Sequence, residues 1–323
     1  MMGEAFGAEA IARKGRSLRG SMTLRRLGRA ATPLACGGAF ALPAKLLFIL
    51  VAASLVSACS SFGSFGSLGW FGSKDNTEDV SNDPPNVIYG KAEALVNKGK
   101  YKDAARVYEE VDINHPYSPE ARRAILMASY AYYKGGKYDD AIGAADRYLT
   151  LHPGTGESDL AQNIIAMSYY DRVLDPKRDQ TNARKALAAY DTLLQRYPES
   201  RYAADARNRA RILRDLLAAN EMVVGRYYLR HSNFLAAINR FRTVVTDFQT
   251  TEQVEEALMR LTEAYMALGI VNEAQTAAAV LGHNFPESKW YRHAYGLLGK
   301  QGLKPQEHEG SWITRTWRGA TGT

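Results

Sequence analysis

Two cysteines, six histidines and 34 carboxylates are among the side chains of this 323-residue chain able to carry nucleophilic, metal or acid–base chemistry. Each chemistry demands a spacing. A zinc protease helix needs His-Glu-x-x-His, a serine hydrolase elbow needs Gly-x-Ser-x-Gly, and a phosphate loop ends in Gly-Lys-Ser or Gly-Lys-Thr. None of these strings occurs. The histidines are His115, His152, His231, His283, His293 and His308; the first two hold the same place before a proline, which points to structure rather than to a metal. Carboxylates are spread along the chain rather than paired. Two cysteines supply neither a disulfide framework nor a four-ligand zinc cage. The chain therefore reads as non-enzymatic, with no catalytic residue, metal site or cofactor.

Composition narrows the field further. At 46% hydrophobic and 23% charged the chain is globular. The formal charge of +7 points towards nucleic acid, but it is local: residues 1–58 hold eight Lys or Arg against two Glu, leaving 33 basic and 32 acidic side chains elsewhere. A near-neutral body has no general phosphate footprint, and nucleic acid is excluded as a partner.

The basic excess belongs to a targeting segment. Leu46–Val56 is an uncharged, mostly apolar run of 11 residues behind Lys45, followed by the small residues Ser57 and Ala58 and then Cys59. A bilayer span needs about 20 apolar residues, so this run fits the core of a secretory signal instead. Leu55-Val56-Ser57-Ala58-Cys59 resembles a bacterial lipobox, in which the cysteine is acylated and becomes the first mature residue. Residues 1–58 are thus expected to be a lipoprotein signal peptide, with 1–21 an over-extended start ahead of Met22. Leu34-Ala35-Cys36-Gly37 looks similar locally but has no apolar run before it. Ser60 rather than Asp after Cys59 goes, in enterobacterial lipoproteins, with export to the outer membrane. Several acyl chains on Cys59 anchor durably where one would bind reversibly. Residues 59–86, rich in Ser, Gly and Asp and closed by Pro84-Pro85, read as a lipidated flexible tether.

The remainder is a repeat. Over 87–298 apolar residues recur at helical spacing, and strand-like alternation is absent. Ala104, Ala141, Ala186, Ala237 and Ala274 anchor five copies. Four residues on stand Tyr108, Ala145, Tyr190, Phe241 and Ala278; seven on stand Val111, Tyr148, Leu193, Val244 and Leu281. That is one face of a helix. Pro116, Pro153, Pro198 and Pro286 follow twelve residues after four of the alanines, with Gln249 in the fifth case. Leu95, Tyr132, Tyr228 and Tyr265 lie nine residues before their alanines, each preceded three residues earlier by Ala92, Ser129, Gly225 or Thr262. Small residue, aromatic, turn, alanine, proline is similar to the tetratricopeptide pattern. The expected fold is all-α: a tetratricopeptide-like solenoid of five helix pairs over 87–298, behind the signal peptide and tether.

Two copies are irregular. The third carries extra residues in the polar stretch Asp171–Asn182. The fourth has 30 residues between Pro198 and Tyr228 where other copies have 16. Fourteen extra helical residues add ~21 Å, so the helix from about Tyr202 to Leu229 is expected to project beyond its neighbours. Residues 299–323, with Trp312 and Trp317 beside Arg315 and Arg318, fall outside the pattern and are expected to be a mobile tail.

Several runs carry a closer resemblance: Trp70-Phe71-Gly72-Ser73-Lys74-Asp75, Pro84-Pro85-Asn86-x-Ile88-Tyr89, Ala131-Tyr132-Tyr133-Lys134, a long fourth-copy helix ending Tyr227-Tyr228, and Ala236-Ala237-Ile238-Asn239-Arg240. With the lipobox and tether, they resemble the BamD family, lipoproteins of the outer-membrane β-barrel assembly (BAM) complex. The likeness spans about residues 55–290; the first 21 residues and the Trp-bearing tail depart from it. It implies a lipid-anchored scaffold on the periplasmic face of the outer membrane. Such a scaffold would bind BamA near its C-terminal half. Near its N-terminal half it would bind other Bam lipoproteins and unfolded β-barrel outer-membrane proteins. Arg240, inside a matched run, is the expected centre of the BamA contact. Tyr228 and a stripe of Arg207, Arg211 and Arg214 at i, i+4, i+7 are expected to join it. Between Arg201 and Arg242 stand nine Arg and no Lys against Asp205, Asp215 and Glu221. A substrate-peptide groove on the concave face of the first repeats is expected to use Tyr89, Tyr101, Tyr117 and Tyr133. The same anchor and repeats also fit a pilotin-type lipoprotein for secretin assembly, or a peptidoglycan-associated structural lipoprotein.

Cys59→Ser is expected to block acylation and release the chain from the outer membrane into a soluble or uncleaved form. Fractionation after depletion of binding partners checks this; an outer-membrane pellet still holding the variant would contradict lipid anchoring.

Overall fold

A computed structural model of the chain describes residues 83–321; the expected signal peptide, Cys59 and the expected tether before Asp83 lie outside them. Among the described residues the chain is helical throughout. Five antiparallel pairs come first: α1 (Pro85–Asn97) with α2 (Tyr101–Asn114), α3 (Pro119–Lys134) with α4 (Tyr138–Leu151), α5 (Ser158–Tyr170) with α6 (Thr181–Arg196), α7 (Ala203–Arg230) with α8 (Phe234–Asp247), and α9 (Gln253–Ala267) with α10 (Val271–Asn284). Two further helices follow, α11 (Lys289–Gly299) and α12 (Trp312–Thr321). Each helix of the pairs packs on the next, and the first helices α1 and α3, α3 and α5, α7 and α9 also touch directly.

The repeat pattern is a packing pattern. All five anchor alanines and the residues four and seven positions after them, from Tyr108 and Val111 to Ala278 and Leu281, have no exposed surface. Opposite them stand the small residues of the first helices, Ala92, Ser129 and Thr262, equally buried. Small side chains at both contact points let paired helices approach closely. At Gly225 the approach leaves no room for a side chain: a Cβ there would lie 2.5 Å from Phe241 Cε1.

The turns repeat as closely. In four pairs one residue takes a left-handed conformation: Gly99, Gly136 and Gly269 with φ of 72–73°, and Ser232 with φ of 57°. The following N–H then reaches back to the carbonyl of the large residue near the helix end: Lys100 to Leu95, Lys137 to Tyr132, Asn233 to Tyr228 and Ile270 to Tyr265, at 2.9–3.0 Å. This is the six-residue closure that satisfies orphaned carbonyls at a helix end. Each second helix ends on a residue pulled out of helical geometry — His115, His152, Tyr197, Phe248 and Phe285, with φ near −130°. In four pairs the next residue is proline, which disfavours the helical region for its predecessor. Phe248 adopts the same shape before Gln249, so the proline reinforces the ending without being required for it.

Three expectations are corrected. The long helix does occur, 28 residues against 13–16 for the other nine of the pairs, but it does not project freely. Ala203, Ala206, Ala210, Leu213, Leu217, Ala218, Met222 and Gly225 form a buried stripe along its whole length. Leu217 closes the core shared with α3–α6, and Ala218 opens the core shared with α8–α12. The extra turns join two cores. The extra loop of the third pair meets them, as Asn220 Nδ2 donates to the Pro176 carbonyl. Next, five pairs do not fill the expected bounds of 87–298: α11 follows the fifth pair and adds Ala294 and Leu298 to the last core. Finally, residues 299–323 are not a mobile tail over their described part. Ile313 is fully buried, and α12 packs on α10 and α8. Repeat-based reading missed α12 because it lies outside the period.

The two glycine environments predict opposite outcomes. Gly225→Ala is expected to cost about 1–3 kcal/mol, since the Phe241 ring is held by the core and cannot yield cheaply. Gly143 sits in an exposed turn of α4, where an added Cβ would have no neighbour within 4 Å. Alanine there should instead gain about 0.5–1 kcal/mol from its helix preference. Chemical denaturation of both variants checks the pair.

Candidate functional site

The α7–α8 hairpin is set by its turn. Ser232 takes the left-handed position held by glycine elsewhere, and Asn233 Oδ1 accepts from the Ala236 N–H to start α8. This register brings Glu221 of α7 opposite Arg240 of α8, with Nη1 donating to Oε2 at 3.1 Å. The Glu221 side chain is 12% exposed and that of Arg240 46%. The carboxylate is thus held inside while much of the guanidinium faces solvent. A planar fork with five N–H donors can bind a second acceptor while keeping the first.

A second ion cluster lies nearby on α7 and α9. Arg226 donates to Glu256 at 2.9 Å, and Arg260 bridges Glu256 at 3.3 Å and Glu263 at 2.8 Å. The Arg260 guanidinium also sits 5.5 Å over the Trp290 ring. Sequence spacing did not reveal the Arg240–Glu221 and Arg226–Glu256 pairs, whose members lie 19 and 30 residues apart.

The other expected BamA-facing residues divide. Arg207 and Arg211 are exposed on the N-terminal half of α7, where Arg211 donates to Asn208 at 3.0 Å. Arg214 is paired with Asp191 of α6 at 2.6 Å. Ten residues separate Arg211 from Glu221, about 15 Å along the helix axis, so the stripe and Arg240 do not form one patch. Tyr228 is half-buried against the last core. Its neighbour Tyr227 is the exposed one, at 52%, with its ring centroid 4.3 Å from that of His231. Leu235 is exposed just past the same turn. Arg240 and Tyr227 are thus exposed on this hairpin, while Leu235, five positions before Arg240, lies on another side of α8.

The four tyrosines expected in a substrate groove do not converge. Tyr89 packs edge-on against the buried Tyr108, 5.2 Å between centroids, and belongs to the first core. Tyr101 opens α2 beside the α3–α4 turn, near Gly135. Tyr133 closes α3 at that same end, and its hydroxyl donates to Asp171 at 2.8 Å. Burial pushes the Tyr133 hydroxyl up from its ordinary range, and the bond to Asp171 pushes it further, so it stays a neutral donor. Tyr117 is fully exposed in the α2–α3 connection, about 21 Å away along the 14-residue α2. A single groove lined by all four is therefore replaced by one end carrying Tyr101 and Tyr133 and an opposite end carrying Tyr117.

Structural contacts account for most of the histidines. His115 Nε2 donates to the Asp83 carbonyl at 3.0 Å, tying the start of the body to α2. His152 packs against the Tyr148 ring, His293 against Trp290, and the His308 N–H bonds Thr276. Among the described residues no group of three or more His, Cys, Asp or Glu is placed to hold a metal, and no helix is long and apolar enough to cross a membrane.

Comparison with known proteins gives a consistent result. The family model YfiO, described as an outer membrane lipoprotein, matches residues 81–281. The chain is 43% identical over 222 residues to the outer membrane protein assembly factor BamD of Caulobacter vibrioides, covering 69% of this chain and 73% of that one. It is 35% identical over 226 residues to that of Rickettsia prowazekii, covering 70% and 90%. Against that of Neisseria meningitidis serogroup A it is 33% identical over 262 residues, covering 78% and 95%.

Proposed function

The chain belongs to the BamD (YfiO) family of outer-membrane lipoproteins, and from that premise we propose that it is a non-enzymatic scaffold of the BAM complex. It binds BamA and unfolded outer-membrane proteins on their way to insertion. Relatives named as outer membrane protein assembly factors support this role over secretin piloting or peptidoglycan binding. Acylated Cys59 holds it to the outer membrane at the periplasmic face, and other Bam lipoproteins complete the assembly.

BamA engages the α7–α8 hairpin, with Arg240 at its centre. The observation that carries this is the division of labour in the pair: Glu221 fixes the guanidinium from one side, and the exposed side remains open to an acidic BamA residue. Restraining Arg240 before binding lowers the entropy cost of using it. Tyr227, exposed on α7, adds apolar contact area of the kind interface centres need. The separate stripe of Arg207 and Arg211 is a solvated face outside this site. Substrate segments are captured near the first repeats, at the end where Tyr101 and Tyr133 lie. Recognition and hand-off are driven by binding free energy alone.

The test must separate the internal pair from the external one. Arg240→Glu alone sets two carboxylates against each other and should lower stability as well as affinity. Combining it with Glu221→Arg rebuilds the internal pair with reversed polarity. This double variant should regain near-native thermal stability yet bind BamA at least about 30-fold more weakly, the loss expected when one side of a buried charge pair is removed. Affinity measured with soluble BamA domains decides; wild-type binding by the stable double variant would remove Arg240 from the interface.

A further inference from the structure

Residues 303–321 lie beyond the family match and beyond the five pairs, yet they are seated on the body. A continuing repeat would pack on the preceding helix, α11. Instead α12 doubles back and packs on α10 and α8, the second helices of the last two pairs. It arrives there through the stretch 299–310, most of which is exposed. A short helix laid across two others at the end of an exposed connector is the geometry of a peptide in a helix-binding groove. We propose that the surface formed by α8, α9 and α10 under α12 is a docking groove for a tryptophan-led amphipathic helix, occupied in cis by the chain's own C-terminal segment.

The contacts define what the groove reads. Ser311 Oγ donates to the Glu273 carboxylate while accepting from the Ile313 N–H, so one hydroxyl caps the incoming helix and docks it. The Trp312 indole N–H donates to the Tyr265 hydroxyl at 2.9 Å, and the Arg242 guanidinium covers the same ring at 4.8 Å. Ile313 is fully buried beside it. One turn on, Trp317 meets the edge of Phe285, 6.2 Å between centroids. Upstream, Gln275 Nε2 donates to the Lys304 carbonyl at 2.8 Å, and Thr276 Oγ1 accepts from the His308 N–H at 3.2 Å. The recognition elements, hydroxyl cap, indole, aliphatic and second indole, face the body; Arg315 is exposed, and Arg318, half exposed, pairs with Glu307 of the connector at 3.5 Å. A partner helix carrying the same face would fit the same groove.

Such a site is closed by its own chain. A connector of about a dozen residues holds α12 at an effective concentration in the millimolar range, so a partner helix must compete with it. The inference does not depend on where BamA binds: Arg242, which holds Trp312, is two positions from Arg240 and so lies on a different side of α8.

Two measurements on the full chain test it. A labelled peptide of residues 303–321 should bind the Trp312→Ala chain at least about tenfold more tightly than wild type, because the variant's own helix no longer competes well. The same peptide bearing Trp312→Ala should bind neither. Equal binding to both chains, or none to either at wild-type helicity, would overturn the proposal. If Trp312→Ala fails to fold, a protease site inserted between Gln301 and Gly302 of the wild-type chain decides. After cleavage, the C-terminal fragment should stay bound at high concentration, leave on dilution and be replaced by the peptide, with the body still folded. Loss of the body's helicity on fragment release would show that α12 is an inseparable part of the core, and immediate release at high concentration would show that there is no groove.

Discussion

Everything in this fold depends on how closely the two helices of each pair approach. Five alanines without exposed surface lie on the second helices, and the small residues Ala92, Ser129, Gly225 and Thr262 lie buried on the first helices of four pairs, so the helices can approach closely. The residues four and seven positions on are equally buried and complete the packing, as Phe241 does against Gly225, so that one spacing recurs through the stack. Stability in such arrays is a sum of unit and neighbour terms. A single wrong Cβ, as at Gly225, therefore acts on a pair and on its junction with the next.

That constraint is also why so much was legible in the sequence. The alanine offsets, the glycine turns and the prolines are local consequences of one repeated packing problem, and fixed distances along the chain express them. What breaks the period was less legible. The length of α7 was readable from spacing, but its role was not, because joining two cores depends on which residues face which neighbours. Asn220 meeting Pro176 links the two irregular copies across 44 positions, a relation no local pattern carries. The C-terminal segment was misread for the same reason. Ser311 and Trp312 have partners 38 and 47 residues upstream, and a short polar stretch with two tryptophans looks like a tail until those partners are placed.

The interface followed the same division. Arg240 stood out through a matched run of residues, whereas Glu221, which orients it, had no signal of its own. Tyr228 drew notice through its repeat position, and that position is the one turned towards the core; the exposed residue is its neighbour Tyr227. The tyrosines of the first repeats show the converse error. Residue type and nearness in sequence do not bring them together, because Tyr101 and Tyr117 flank α2 and so sit at its opposite ends.

The most direct test of the scaffold account is amide hydrogen exchange across the full chain, with and without the soluble periplasmic domains of BamA. The account predicts that BamA slows exchange over the α7–α8 hairpin, including the turn at His231–Asn233, and leaves α1–α4 unchanged. Saturating BamA that protects α1–α4 and leaves the α7–α8 hairpin exchanging at its free rate would contradict it.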